Sequence, residues 1–128
     1  MNPLLPKTIL VADDHPHILK LVEFSLEEID CWIESVHTGE EAVAKAAQMD
    51  IDLLIIDIKL PGIDGFEAIR QIKSDPKRSN LPVIVLTGQG QRELGGVADG
   101  LGVTAFFIKP FSPIQLANQA RKSLNLSN

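Results

Sequence analysis

The segment from Leu53 to Ile56, inside IDLLIID (51–57), is apolar at odd and even positions alike. A strand with one wet face alternates apolar with polar. A strand apolar on both parities is covered on both faces, which is the habit of parallel sheets flanked by helices. The neighbouring segments fit that frame. TILVA (8–12), LPVIVLT (81–87) and TAFFI (104–108) are short β-rich runs, and CWIESV (31–36) reads as an edge strand. Between them lie helical patterns. Residues 16–29 place Ile18, Val22, Leu26 and Ile29 at helical spacing, with Pro16 suited to a first helical position. GEEAVAKAAQ (39–48) is rich in strong helix formers. Residues 65–74 put Phe66, Ile69 and Ile72 on one face, and residues 113–124 do the same with Ala117, Ala120 and Leu124. Residues 91–99 form a weaker helical pattern, since Gly95 and Gly96 each cost about 1 kcal/mol there. The expectation is a doubly wound α/β fold, (βα) five times over, with a five-stranded parallel sheet.

The chain has 128 residues, enough for one ordinary domain with a real core. There are no repeats and no low-complexity linker, so residues 1–128 are expected to form one unit with its core at about 7–124. A net charge of −5 argues against nonspecific nucleic-acid binding. No apolar run approaches a membrane span of about 20 residues. The start, MNPLLPKTILVADD, lacks the basic region and cleavage site of a signal peptide. Cys31 is the sole cysteine, so no disulfide forms within the chain and a reducing, cytoplasmic setting is expected.

Sites in open α/β sheets lie beyond the carboxyl ends of the strands. Asp13 and Asp14 follow TILVA, Asp57 ends IDLLIID, Thr87 ends LPVIVLT, and Lys109 follows TAFFI. Each has an ordinary reading alone: a cap, a turn opener, a strand-end hydroxyl, a surface lysine. Together, three acids, a hydroxyl and an ammonium reach one sheet edge. Two carboxylates ~4 Å apart repel by about 4 kcal/mol at an effective dielectric near 20. Such a cluster calls for a counter-ion, and a hard divalent cation with oxygen ligands such as Mg²⁺ suits it. An acid beside a metal and a lysine is a nucleophile toward a phosphoryl group.

These residues, with the segment DIKLPGIDG from Asp57 to Gly65, the pair Thr87-Gly88 and the run Lys109-Pro110-Phe111, resemble the receiver domains of two-component response regulators. The resemblance covers about residues 7–124 in order. It implies the flavodoxin-like strand order 2-1-3-4-5 of chemotaxis regulators. It implies that Asp57 accepts a phosphoryl group from the phosphohistidine of a sensor histidine kinase or phosphotransfer protein. Mg²⁺, or another divalent cation such as Mn²⁺, would be held by Asp14, Asp57 and the backbone carbonyl of Lys59, with Asp13 acting through water. Lys109 would pair with the acids and then with the phosphoryl group. Thr87 would move toward that group and Phe106 would turn inward as the switch aromatic. Lys109-Pro110 would be a cis peptide.

The output surface would be the fourth helix (91–99), the fifth strand and the last helix. It would act on a downstream protein or an output domain absent from this chain, with no direct contact to nucleic acid or membrane. The resemblance also implies a phosphorelay component rather than a turnover enzyme. Since the chain ends at SLNLSN, it is expected as a single-domain regulator or as the receiver of a larger one.

The sequence departs from the family at Lys59, where Asn or Met is common, at Gln89, and at Leu60, which replaces a frequent Met. The first two positions influence how fast the phosphoryl group is lost. Segment 88–102 is also unusually rich in glycine. Two other classes compete. An aspartyl-nucleophile phosphohydrolase would carry its acids two residues apart after the first strand, and here they are adjacent. A scaffold independent of phosphorylation would not need the acids at all. His15 and His17 are expected to be surface or capping residues rather than a zinc pair, His37 a loop residue, Trp32 a packing residue and Cys31 a buried thiol.

Overall fold

The computed structural model describes residues 6–88 and 100–126. The elements are β1 (Lys7–Ala12), α1 (Pro16–Ser25), β2 (Cys31–Val36), α2 (Gly39–Gln48), β3 (Leu53–Asp57), α3 (Gly65–Lys73), a 3₁₀ turn (Pro76–Arg78), β4 (Val83–Thr87), β5 (Ala105–Ile108) and α4 (Pro113–Ser123). The strands form one parallel sheet in the order β2-β1-β3-β4-β5, the expected order. The expected helix at 91–99 and Gln89 lie outside the described residues.

Two cores sandwich the sheet. On one face, Leu10, Leu54, Ile56, Val83 and Val85 pack under Ala42 and Ala46 of α2 and Phe66, Ile69 and Ile72 of α3. On the other, Ile9, Val11, Leu53, Ile55, Ile84 and Leu86 pack under Ile18, Leu19 and Val22 of α1 and Leu116 and Ala120 of α4. All five residues of β3 are buried, as are all five of β4. This is the two-sided covering that the continuous apolar runs demanded. Among the described residues no helix is long and apolar enough to cross a membrane.

Three boundaries differ from expectation, each for a local reason. Helix α1 stops at Ser25, not at 29. The Ser25 hydroxyl donates to the Leu21 carbonyl at 2.7 Å, and tight turns then carry the chain so that Leu26 and Ile29 still reach the core. Strand β3 starts at Leu53 rather than Ile51. There the Asp52 carboxylate takes the Thr8 amide at 2.8 Å, so a side chain replaces one rung of the ladder. Strand β4 starts at Val83, after Pro82, which has no amide hydrogen to give. Trp32 is 62% exposed on the edge strand rather than packed, and Cys31 is only partly buried.

Candidate functional site

Four parallel strands end at one edge, and their last or next residues meet there. Asp13, fully buried, follows β1, and its amide donates to the Val36 carbonyl of β2 at 3.1 Å. Asp57 closes β3 and is 3% exposed. Thr87 closes β4 and is buried, its hydroxyl donating to the Gly88 carbonyl at 3.2 Å rather than to an acid. Lys109 follows β5, and its amide is tied to the Thr87 carbonyl at 2.8 Å. The rigid sheet brings these groups into reach of one another.

The Lys109 ammonium sits between two acids. It donates to Asp57 Oδ2 at 2.9 Å and forms an ion pair with Asp13 Oδ2 at 2.9 Å. The contact with Asp13 lies outside hydrogen-bond geometry, so this buried oxygen has no hydrogen-bond partner among the described residues. Burial by itself would lower the pKa of Lys109. The close contacts and negative charges of Asp13 and Asp57 outweigh it, so the ammonium is held above its ordinary value. Lys109 is therefore charged across the neutral range and offsets one of the three carboxylates.

The second oxygen of Asp57 accepts the Lys59 amide at 3.2 Å. The Lys59 side chain is exposed. Gly65 closes the loop that follows: its amide donates to the Ile58 carbonyl at 2.7 Å, and a methyl group in its place would overlap the Asp57 carbonyl oxygen. Farther along the same loop, Glu40 of α2 accepts the Ile63 amide at 3.1 Å. Gly62 has φ +79° and lies against that carboxylate. The loop from Ile58 to Asp64 is thus pinned at both ends, beside the acid it follows.

Asp13, Asp14, His15 and Asp57 each present one ligand atom, and these four atoms lie within 4.8 Å of one another. The donor set fits a divalent cation, since three of the four are hard carboxylate oxygens. The sequence pointed to the three acids. It read His15 as a surface or capping residue; the side chain is half-exposed at the N-cap of α1, and its Nδ1 lies 3.1 Å from Asp13 Oδ1 and 3.2 Å from Asp14 Oδ1. His17 is not part of this cluster, although its ring stacks edge-on with that of His15 at 5.6 Å. Phe106 is 39% exposed, while Phe107 turns into the core and meets Phe111 edge-on. The Lys109-Pro110 peptide is cis, as the family resemblance implied.

A family profile described as the response regulator receiver domain matches residues 9–121. The chain belongs to that family. This receiver domain is 36% identical over 120 residues to the response regulator GtcR of Aneurinibacillus migulanus, covering 94% of this chain and 48% of that protein. It is 32% identical over 114 residues to the signal transduction histidine-protein kinase BarA of Escherichia coli, covering 89% of this chain and 12% of that protein. The receiver thus spans about half the length of GtcR and a small part of BarA. Among solved structures it resembles the chemotaxis response regulator CheY4 of Vibrio cholerae, with a TM-score of 0.85, 27% identity and coverage of 93% and 99% of the two chains. It is a receiver domain of two-component signalling with a flavodoxin-like α/β fold.

Proposed function

We propose that this receiver is a phospho-accepting switch in which Asp57 takes a phosphoryl group from the phosphohistidine of a sensor histidine kinase or phosphotransfer protein. The observation that carries the reading is the Asp57 carboxylate, buried at the end of the central strand and held by Lys109 at 2.9 Å. A carboxylate oxygen of Asp57 forms the new P–O bond as the P–N bond to the donor imidazole breaks. Lys109 stays charged and follows the negative charge from carboxylate to phosphoryl oxygens. Thr87 gives up its bond to the Gly88 carbonyl and donates to a phosphoryl oxygen instead. Phe106, exposed on β5, turns inward into the space Thr87 leaves.

Mg²⁺, or Mn²⁺ in its place, would be held by Asp14, Asp57 and the Lys59 carbonyl, with Asp13 reaching it through water. When bound it screens the charge between the acids and the incoming phosphoryl group. On this reading the domain undergoes a two-state population shift and is not a turnover enzyme. The shift changes partner binding at the face made by residues 91–99, β5 and α4. The partner is a downstream protein or a linked output domain, without direct contact to nucleic acid or membrane, and the setting is cytoplasmic. The unit proposed is a single receiver over residues 1–128 with its core at 7–124.

Acetyl phosphate with Mg²⁺, followed by intact mass, tests this. One added phosphoryl mass in the native chain and none in Asp57→Asn is the expected result. Addition that survives Asp57→Asn sinks the assignment of the acceptor. Sustained turnover of a generic phosphate ester would replace the switch with a hydrolase.

A further inference from the structure

We propose that His15 is a nitrogen ligand of the divalent ion at this acidic site, and that it tilts the site toward first-row transition ions over Mg²⁺. The inference rests on the reading that a divalent ion binds between Asp14 and Asp57. The geometry of residue 15 carries it. His15 Nδ1 is 3.1 Å from Asp13 Oδ1 and 3.2 Å from Asp14 Oδ1. An octahedral ion with ligand bonds of about 2.1 Å has neighbouring ligand atoms roughly 3.0 Å apart. The imidazole nitrogen and the Asp14 oxygen therefore have the spacing of adjacent corners of one coordination shell, with Asp13 beside them as the acid that acts through water.

The backbone places residue 15 there, and the hydrogen bond between Nδ1 and Asp13 Oδ1 holds the ring. The His15 amide donates to Asp13 Oδ1 at 2.9 Å, and the residue is the extended N-cap of α1 with Pro16 directly after it. Its side chain makes no capping bond to the helix, so the ring is not spent on that task. The His15 side chain is 51% exposed, so an ion and its waters have access. The other oxygen of Asp13 is held by the ammonium of Lys109 at 2.9 Å. This oxygen, Oδ2, is fully buried and lacks a hydrogen-bond partner among the described residues.

The chemistry sets the direction of selectivity. Carboxylates, carbonyls and water alone suit Mg²⁺, whereas an imidazole nitrogen is a borderline donor that gains affinity along the series from Mn²⁺ to Ni²⁺. The competing arrangement is a ring N–H that donates to the two carboxylates and never touches the metal. The two differ in whether nitrogen is bonded to the ion.

The experiment loads the full chain with Mn²⁺ and looks for nitrogen coupling by pulsed electron paramagnetic resonance, with ¹⁵N-histidine to assign it. Coupling is expected in the native chain and in His17→Asn, and its loss in His15→Asn. In parallel, dissociation constants for Co²⁺ and Mg²⁺ are measured by equilibrium competition. The native preference for Co²⁺ over Mg²⁺ should fall by about ten-fold or more in His15→Asn. Bound Mn²⁺ without nitrogen coupling, or an unchanged Co²⁺ to Mg²⁺ ratio, overturns the role of His15 and leaves the phospho-acceptor reading standing. Failure of the native chain to bind any of these ions overturns both.

Discussion

At the scale of single residues, the site is a charge problem solved by position. Three carboxylates share one ammonium, and Lys109 contacts two of them at 2.9 Å. The acids and Lys109 were legible because each sits at the end of an apolar run, and in a parallel sheet all such ends share an edge. The approach of the His15 ring to the acids was not legible. The ring direction depends on the backbone angles at the start of α1, and periodicity carries no information about a cap residue's side chain. Lys59 shows the same limit: its amide serves Asp57, yet the residue is exposed. A long cation two residues from the acceptor can reach the phosphoryl oxygens or the water that removes them. Lys59→Asn should therefore change the lifetime of phosphorylated Asp57 while leaving the unfolding midpoint nearly unchanged, since the residue is exposed. Radiolabel decay and urea unfolding measure the two, and an unchanged lifetime would assign Lys59 to solvent alone.

At the scale of elements, helix α2 is the best specified. Thr38 accepts the Glu41 amide at 3.0 Å, and Glu41 accepts the Thr38 and His37 amides at 3.1 and 2.8 Å, a complete capping box. The His37 amide, helped by that of Thr38 and against a smaller opposing effect of desolvation, holds the Glu41 carboxyl below its ordinary value. A carboxyl whose folded pKa is depressed stabilises the fold above its unfolded pKa of about 4.3 and loses that contribution as pH falls through the folded value. Glu41→Gln should therefore be less stable than the native chain at pH 7. The gap should close in acid below about pH 4, as read from urea unfolding across pH; a gap independent of pH would rule out the carboxylate charge as its cause. The span of α2 was readable from its helix formers, and the cap and box of the structure agree with it. The end of α1 was not, because the backbone passes into three-residue turns, Glu27 to Phe24 and Ile29 to Leu26, while the apolar spacing continues to Ile29. The fourth expected helix falls outside the described residues and remains an expectation from its sequence.

At the scale of the whole molecule, the two-sided core followed from apolar runs too continuous for a sheet with a wet face, and the strand order from the family resemblance. The same sheet ties folding to ion binding. A cation that holds Asp14 and Asp57 bridges the ends of β1 and β3, so it binds the folded chain and not the unfolded one. Mg²⁺ at one hundred times its dissociation constant should stabilise the fold by about 2.7 kcal/mol, read as a rise in thermal midpoint. Asp14→Asn should lose most of that rise; an equal rise in both proteins would mean that the ion acts elsewhere.

The pinning of the loop from Ile58 to Asp64 bears on how the chain can vary. Surface loops usually accept insertions at little thermodynamic cost. This one is held at Gly65 by the Ile58 carbonyl and at Ile63 by Glu40, with the acceptor acid at its root. An added residue would have to break one of those anchors or shift Asp57 itself. Length polymorphism among descendants of this chain should therefore gather in other connections and spare the seven residues that follow the acceptor.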